Sequence, residues 1–194
     1  MSGAARLQLV RQHCDGHRRQ HAKFLPSMSC MQSAIEVLRN RRSVRAYTDQ
    51  PVPRTIIEEI VDCGRLAPTA MNQQPWDFVV VTQKADLGRI PPILDHNEFI
   101  ANAAFAILVV ARESLCPVED CCAATENLLL AAAAHGIGSC WITAAGRPYA
   151  LRLAAAFGVP ADRQLIAIAV FGYPAENPQV EKRPLADVLH WEHF

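Results

Sequence analysis

Apolar positions along this chain follow two rhythms, and the change from one to the other marks the predicted elements. Ile35, Val37 and Leu38 suggest a short helix that runs into a basic stretch at 39–42. Ile56, Ile57, Ile60 and Val61 then repeat along one helical face, with Glu58, Glu59 and Asp62 on the other. That spacing predicts a helix with Pro53 in its first turn, ending before Pro68. The compact apolar runs at 76–82 (WDFVVVT) and 105–111 (FAILVVA) read as buried strands. A long helix is predicted over 118–135, its apolar side marked by Cys122, Leu129, Leu130, Ala133 and Ala134, with Gly136 as its cap. Residues 139–142 predict a third strand, 149–157 a helix, and 164–171 a fourth strand, before an irregular tail from Pro174. The segment 84–102, with Pro91, Pro92 and His96, shows no such pattern.

Strands and helices are mixed without a repeat, in what reads as a single domain over 30–194 preceded by an extension of 1–29. Half of the 194 residues are apolar, which suits one well-packed core. The longest apolar run has nine residues, whereas a spanning helix needs about 20, so no membrane segment is expected.

The formal charge of zero hides an asymmetry. Residues 1–27 hold five basic groups and one acid; taking these from 19 and 19 leaves 14 basic and 18 acidic residues beyond them, a net of −4. An acidic body makes a nucleic-acid partner unexpected. Seven cysteines, an odd number with no CxxC, read as reduced thiols in a cytoplasmic protein. His13, Cys14, His17 and His21 could gather on a helical face, but no matching ligand pair follows, so no metal site is expected.

Four segments carry candidate chemistry. In 41–45 (RRSVR), alternate residues of an extended chain would turn Arg41, Ser43 and Arg45 to one side, where guanidinium groups and a hydroxyl suit a phosphate. The loop 67–76 (APTAMNQQPW) is dense in amide and hydroxyl groups that can match the mixed edge of a heterocycle. The stretch 136–146 lacks the third glycine and the strand-first order of a dinucleotide fingerprint. What remains is a helix-to-strand connection whose strand end carries small residues that would let backbone amides approach a flat ligand. Lys182 and Arg183 form a second basic pair in the tail. Cys140 reads as a buried thiol and His135 as a cap for helix carbonyls, so no catalytic side chain is nominated.

In this order and spacing the four segments resemble the nitroreductase family of FMN-dependent flavoenzymes. The resemblance runs from RRSVR through APTAMNQQPW and NLLLAAAAHGIGSCW to EKRPL, and its length is that of a compact branch. It implies a nitroreductase-like α+β fold, a central mostly antiparallel sheet flanked by helices, working as an intertwined homodimer with FMN sites at the interface. By that likeness Arg41, Arg42, Ser43 and Arg45 would hold the phosphate and pyrimidine side, and Lys182 and Arg183 would close over the phosphate. Pro68, Thr69, Ala70, Asn72 and Gln74 would reach the partner's flavin, and Ile142, Thr143 and Ala144 would place amides near its N5. The implied activity is hydride transfer from NADH or NADPH, by a ping-pong course, to small acceptors such as nitro compounds or quinones. The alternatives are a specialised reaction on the same fold (dehalogenation, oxidation or flavin fragmentation) and a non-catalytic flavin-binding module.

Overall fold

The computed structural model describes residues 33–194. Its spine is a four-stranded sheet of β1 (Trp76–Val81), β2 (Phe105–Ala111), β3 (Gly138–Thr143) and β4 (Gln164–Gly172). The strand order is β1-β2-β4-β3, and all three pairings are antiparallel. Helices cover both faces. On one lie α1 (Ala34–Asn40), α2 (Arg54–Gly64) and the long α5 (Pro117–Ala134); on the other lie α3 (Lys84–Leu87), α4 (Ile90–Leu94) and α6 (Ala150–Ala156). The architecture is therefore the expected α+β arrangement of helices around an antiparallel sheet.

The unbroken apolar run of β2 follows from this layering, because a strand covered on both faces has no polar side to present. Phe105, Ile107, Val109 and Ala111 enter the core beneath α5, while Ala106, Leu108 and Val110 enter the opposite core with Leu87, Ile90, Leu94 and Leu153. Phe105 stacks on Phe171 of β4 at 4.6 Å between ring centres. Burying each of these large side chains contributes on the order of 1.5–3 kcal/mol. Gly64 lets α2 approach α5, since a Cβ there would meet Leu128 at 2.5 Å.

The structure departs from the sequence reading in three places. The patternless segment 84–102 folds into α3, α4 and a 3₁₀ turn (Glu98–Asn102), burying Leu87, Ile90, Leu94 and Ile100. Helices of four and five residues are too short to display a period, and Pro91 and Pro92 fall in the first turn of α4, where the missing N–H costs nothing. Pro53 is the N-cap of α2 rather than its first helical residue. His135 caps α5 through its backbone N–H, bonded to Ala131 and Ala132, while its side chain pairs with Glu59 at 3.3 Å instead of capping carbonyls. The histidine and cysteine cluster at 13–21 and the extension 1–29 lie outside the described residues. Among the described residues no group of three potential ligands could hold a metal, and no helix is long and apolar enough to cross a membrane.

Candidate functional site

Residues 41–47 form a strap along the free edge of β3. Ser43 bridges to Ser139, and the Val44 N–H donates to the Ser139 carbonyl at 2.9 Å. Two glycines admit the strap so closely. A Cβ at Gly138 would meet Val44 at 2.9 Å, and one at Gly172 would meet the Tyr47 ring at 2.9 Å. Tyr47 then donates its hydroxyl to the Val44 carbonyl at 2.7 Å, and burial pushes that phenol far above its usual range. Glu176 completes the fastening by accepting the N–H groups of Arg45 and Ala46.

With Val44 buried, its neighbours Ser43 and Arg45 project outward and Arg41 is half-exposed. Arg41 pairs with Glu126 at 3.5 Å. Arg42 differs from the other two arginines, because its guanidinium donates to the carbonyls of Arg39 and Arg41, at 2.7 and 2.9 Å, at the end of α1. A cleft of about 190 Å³ adjoins the strap, bordered by Arg41, Arg42, Ser139 and Glu176. The Ser139 hydroxyl is buried there without a hydrogen-bond partner. Cys140 is buried beside Arg45; burial raises its pKa and the guanidinium opposes the rise, so the thiol stays protonated.

Farther along β3 the strand end holds Ile142, Thr143 and Ala144. The amides of Ala144 and Ala145 both donate to the Ile166 carbonyl at 3.0 Å, so these two N–H groups are engaged within the chain. A second cleft of about 300 Å³ opens beside this end, lined by His96, Ile142, Thr143, Arg147 and Tyr149.

The loop before β1 stands elsewhere. Its backbone has positive φ at Met71 (51°), Asn72 (56°) and Gln74 (47°), a conformation that costs non-glycine residues energy and persists only when surroundings enforce it. Here four contacts do so. Asp120 accepts the Ala70 N–H at 3.1 Å, Thr69 accepts the Gln74 N–H at 3.1 Å, and Arg112 and Leu115 hold Gln73. Asn72 and Gln74 pair side chain to side chain at 3.1 Å, and Pro68 is exposed. Asp120 is buried in the first turn of α5, its second oxygen unpartnered.

Within one chain, then, the strap and the β3 end share one sheet edge, whereas the loop leads into β1 at the opposite edge. Two strands intervene, roughly 14 Å at about 4.8 Å per strand spacing. Lys182 and Arg183 lie exposed in the tail and do not line the cleft by Arg41. Asp120, Glu176, Ser139 and Arg147 escaped the sequence reading. None left a trace there: Asp120 stands beside Glu119 in the first turn of α5, where acids are ordinary.

Comparison with known proteins follows the same outline. The family model described as "Nitroreductase family" matches residues 38–95 and 92–173. A protein of Archaeoglobus fulgidus, provisionally named an NADH dehydrogenase/NAD(P)H nitroreductase, is 35% identical over 174 residues, covering 84% of this chain and all of its own length. A protein of Methanothermobacter thermautotrophicus with the same provisional name is 33% identical over 170 residues, 82% of this chain and 87% of its own. The structure named FMN-dependent nitroreductase from Clostridium difficile superposes with a TM-score of 0.78 at 27% identity, covering 82% of this chain and 99% of that one.

Proposed function

The chain belongs to the nitroreductase family of oxidoreductases, and from that premise we propose that it is an FMN-dependent enzyme that moves electrons from NADH or NADPH to small acceptors such as nitro compounds or quinones. The observation that carries this reading is the strap fastened along β3. It presents Ser43 and Arg45 outward and leaves the half-exposed Arg41 and the orphaned Ser139 hydroxyl bordering the adjoining cleft, a donor set that fits a phosphate-bearing ligand.

When bound, FMN supplies a carrier that accepts a hydride from the nicotinamide and passes reducing equivalents to the acceptor. The chain's own residues bind and orient. Arg41 and Ser43 would hold the phosphate, and Lys182 and Arg183, which lie exposed in the tail away from that cleft in the single chain, would have to move to close over it. Arg42 shapes the turn that aims Arg41 and Ser43, through its two carbonyl bonds. Arg45 lies on the pyrimidine side, where a fixed positive charge favours negative charge developing on the ring. Ile142, Thr143 and Ala144 would line the ring's side of the site, although the Ala144 N–H, expected from the resemblance to stand near N5, is bonded to the Ile166 carbonyl.

The loop with Pro68, Thr69, Ala70, Asn72 and Gln74 stands at the far edge of its own sheet, so it serves a second copy's site. That requirement is the reason for proposing a homodimer with two FMN sites at the interface. The tail supports it: Val180, Leu185, Trp191 and Phe194 are exposed in the single chain and need a partner surface.

Steady-state kinetics test the reaction. With a quinone and a nitrofuran as acceptors and NADH or NADPH as donor, double-reciprocal plots should give parallel lines. Intersecting lines, or no turnover with FMN saturating, would refute the ping-pong exchange at one face.

A further inference from the structure

The carboxylate of Glu176 does more than close the strap, and this inference rests on the reading above. The strap has a gap between its two pairings. On one side of the gap the Val44 N–H is bonded to Ser139 of β3; on the other, Tyr47 bridges to Pro174 and the Thr48 N–H donates to the Tyr173 carbonyl at 2.9 Å. Arg45 and Ala46 fall where the chain leaves one partner for the next, and among the described residues no main-chain carbonyl accepts their N–H groups. Glu176 Oε1 accepts both, the Ala46 bond at 3.1 Å. Successive N–H groups converging on one oxygen make a concave anion site, and here the anion is part of the chain. Glu176 is held in place for this, since the N–H of its neighbour Ala175 donates to the Ala46 carbonyl at 2.9 Å.

What this arrangement fixes is Arg45. The other two arginines of the strap are steered through their guanidinium groups, Arg41 by Glu126 and Arg42 by two carbonyls. Arg45 is exposed and makes no ion pair among the described residues. The direction in which its side chain leaves the strap is set by its backbone, and its N–H is one of the two that Glu176 holds.

We propose that Glu176 is a positioning residue that holds Arg45 toward the pyrimidine side of the flavin and thereby raises the flavin's reduction potential. Its two conceivable roles have opposite signs. A fixed cation favours the negative charge of the reduced ring, so loosening Arg45 makes the potential more negative. A bare negative charge at Glu176 acts the other way. Deleting it would make the potential more positive and, because Glu176 borders the cleft with Arg41 and Ser139, would tighten the hold on a phosphate.

The test titrates the full chain with FMN and with riboflavin, which lacks the phosphate, and measures the midpoint potential of the bound flavin against reference dyes. Glu176→Ala should weaken both flavins by a similar factor, at least three-fold, and move the potential negative by about 30 mV or more, the equivalent of a ten-fold loss of preference for the reduced form in a two-electron couple. Glu176→Gln keeps an acceptor for both N–H groups and should leave the potential at or above that of the unmodified protein. Glu176→Asp keeps the charge but falls one methylene short, so it should move the potential negative even if the alanine variant fails to fold. In the flavin-free protein, amide exchange at Arg45 and Ala46 should quicken in the alanine and aspartate variants and not in the glutamine variant. With Arg45→Met in the background, neither Glu176→Ala nor Glu176→Asp should move the potential further. A potential unmoved or more positive in a folded alanine or aspartate variant, or a shift that persists without Arg45, would overturn the proposal. So would a loss confined to FMN, because the carboxylate would then serve the phosphate end alone. An unmodified chain that binds neither flavin fails the underlying reading rather than this one.

Discussion

Two hydrogen atoms on glycine decide where the arginines stand. At Gly138 and Gly172 a methyl group would have to occupy the space of the Val44 side chain, which is buried, and of the Tyr47 ring, which is half-buried and held by its hydroxyl on the Val44 carbonyl. Overpacking of this kind costs about 1–3 kcal/mol. Gly138→Ala should therefore lower the melting temperature and weaken FMN binding at least ten-fold by lifting the strap. Calorimetry and fluorescence titration would check both effects, and loss of stability with FMN affinity intact would separate strap from site. The buried thiols give a second expectation. Burial pushes Cys121 up to about 12, against roughly 8.5 for an unfolded thiol. Above pH 8.5 the unfolded chain releases a proton that the folded chain keeps, so stability should fall as pH rises from there toward 12. Urea denaturation across that range measures it, and Cys121→Ser should flatten the slope.

At the scale of elements, the loop 68–74 and α5 form one device. The loop holds three left-handed residues at an estimated 1–3 kcal/mol each, and Asp120 on α5 is the buried anchor that keeps the Ala70 end in place. Asp120→Ala should release the loop, seen as faster amide exchange over 70–74 with the sheet still protected, whereas Asp120→Asn, which keeps an acceptor, should not. Equal exchange in both variants would assign the loop's shape to Thr69 and Arg112 instead. The contrast between legible and illegible parts of the sequence is physical. β2 spans the same residues that its apolar run predicts, and α5 lies within one residue of its predicted bounds, because burial on both faces and an 18-residue length leave clear patterns. α3 and α4 left none, being barely one turn each. The strap's sidedness follows from extended backbone, so the outward Ser43 and Arg45 were readable. The helper residues were not: Glu176 lies about 130 positions from the amides it fastens, and nothing local announces such a pairing.

For the whole molecule, the separation of loop and strap on opposite sheet edges is the main consequence of the β1-β2-β4-β3 order. On the proposed reading a lone chain offers two half-sites, and it exposes Val180, Leu185, Trp191 and Phe194 in its tail. The expected species in solution is a dimer of twice the 21.4 kDa chain mass, and removing the tail from 178 onward should give monomer that no longer retains FMN. Light scattering on gel-filtered protein would check the mass, and a full-affinity monomeric holoprotein would contradict the shared site.

The most direct test of the central claim is an absorbance spectrum of the purified protein with FMN, recorded anaerobically before and after NADH and then NADPH. The account predicts a shifted, bound-flavin spectrum that one or both nicotinamides bleach within the mixing time of a manual assay. Free-flavin absorbance throughout, or a bound flavin that neither donor reduces, would contradict it.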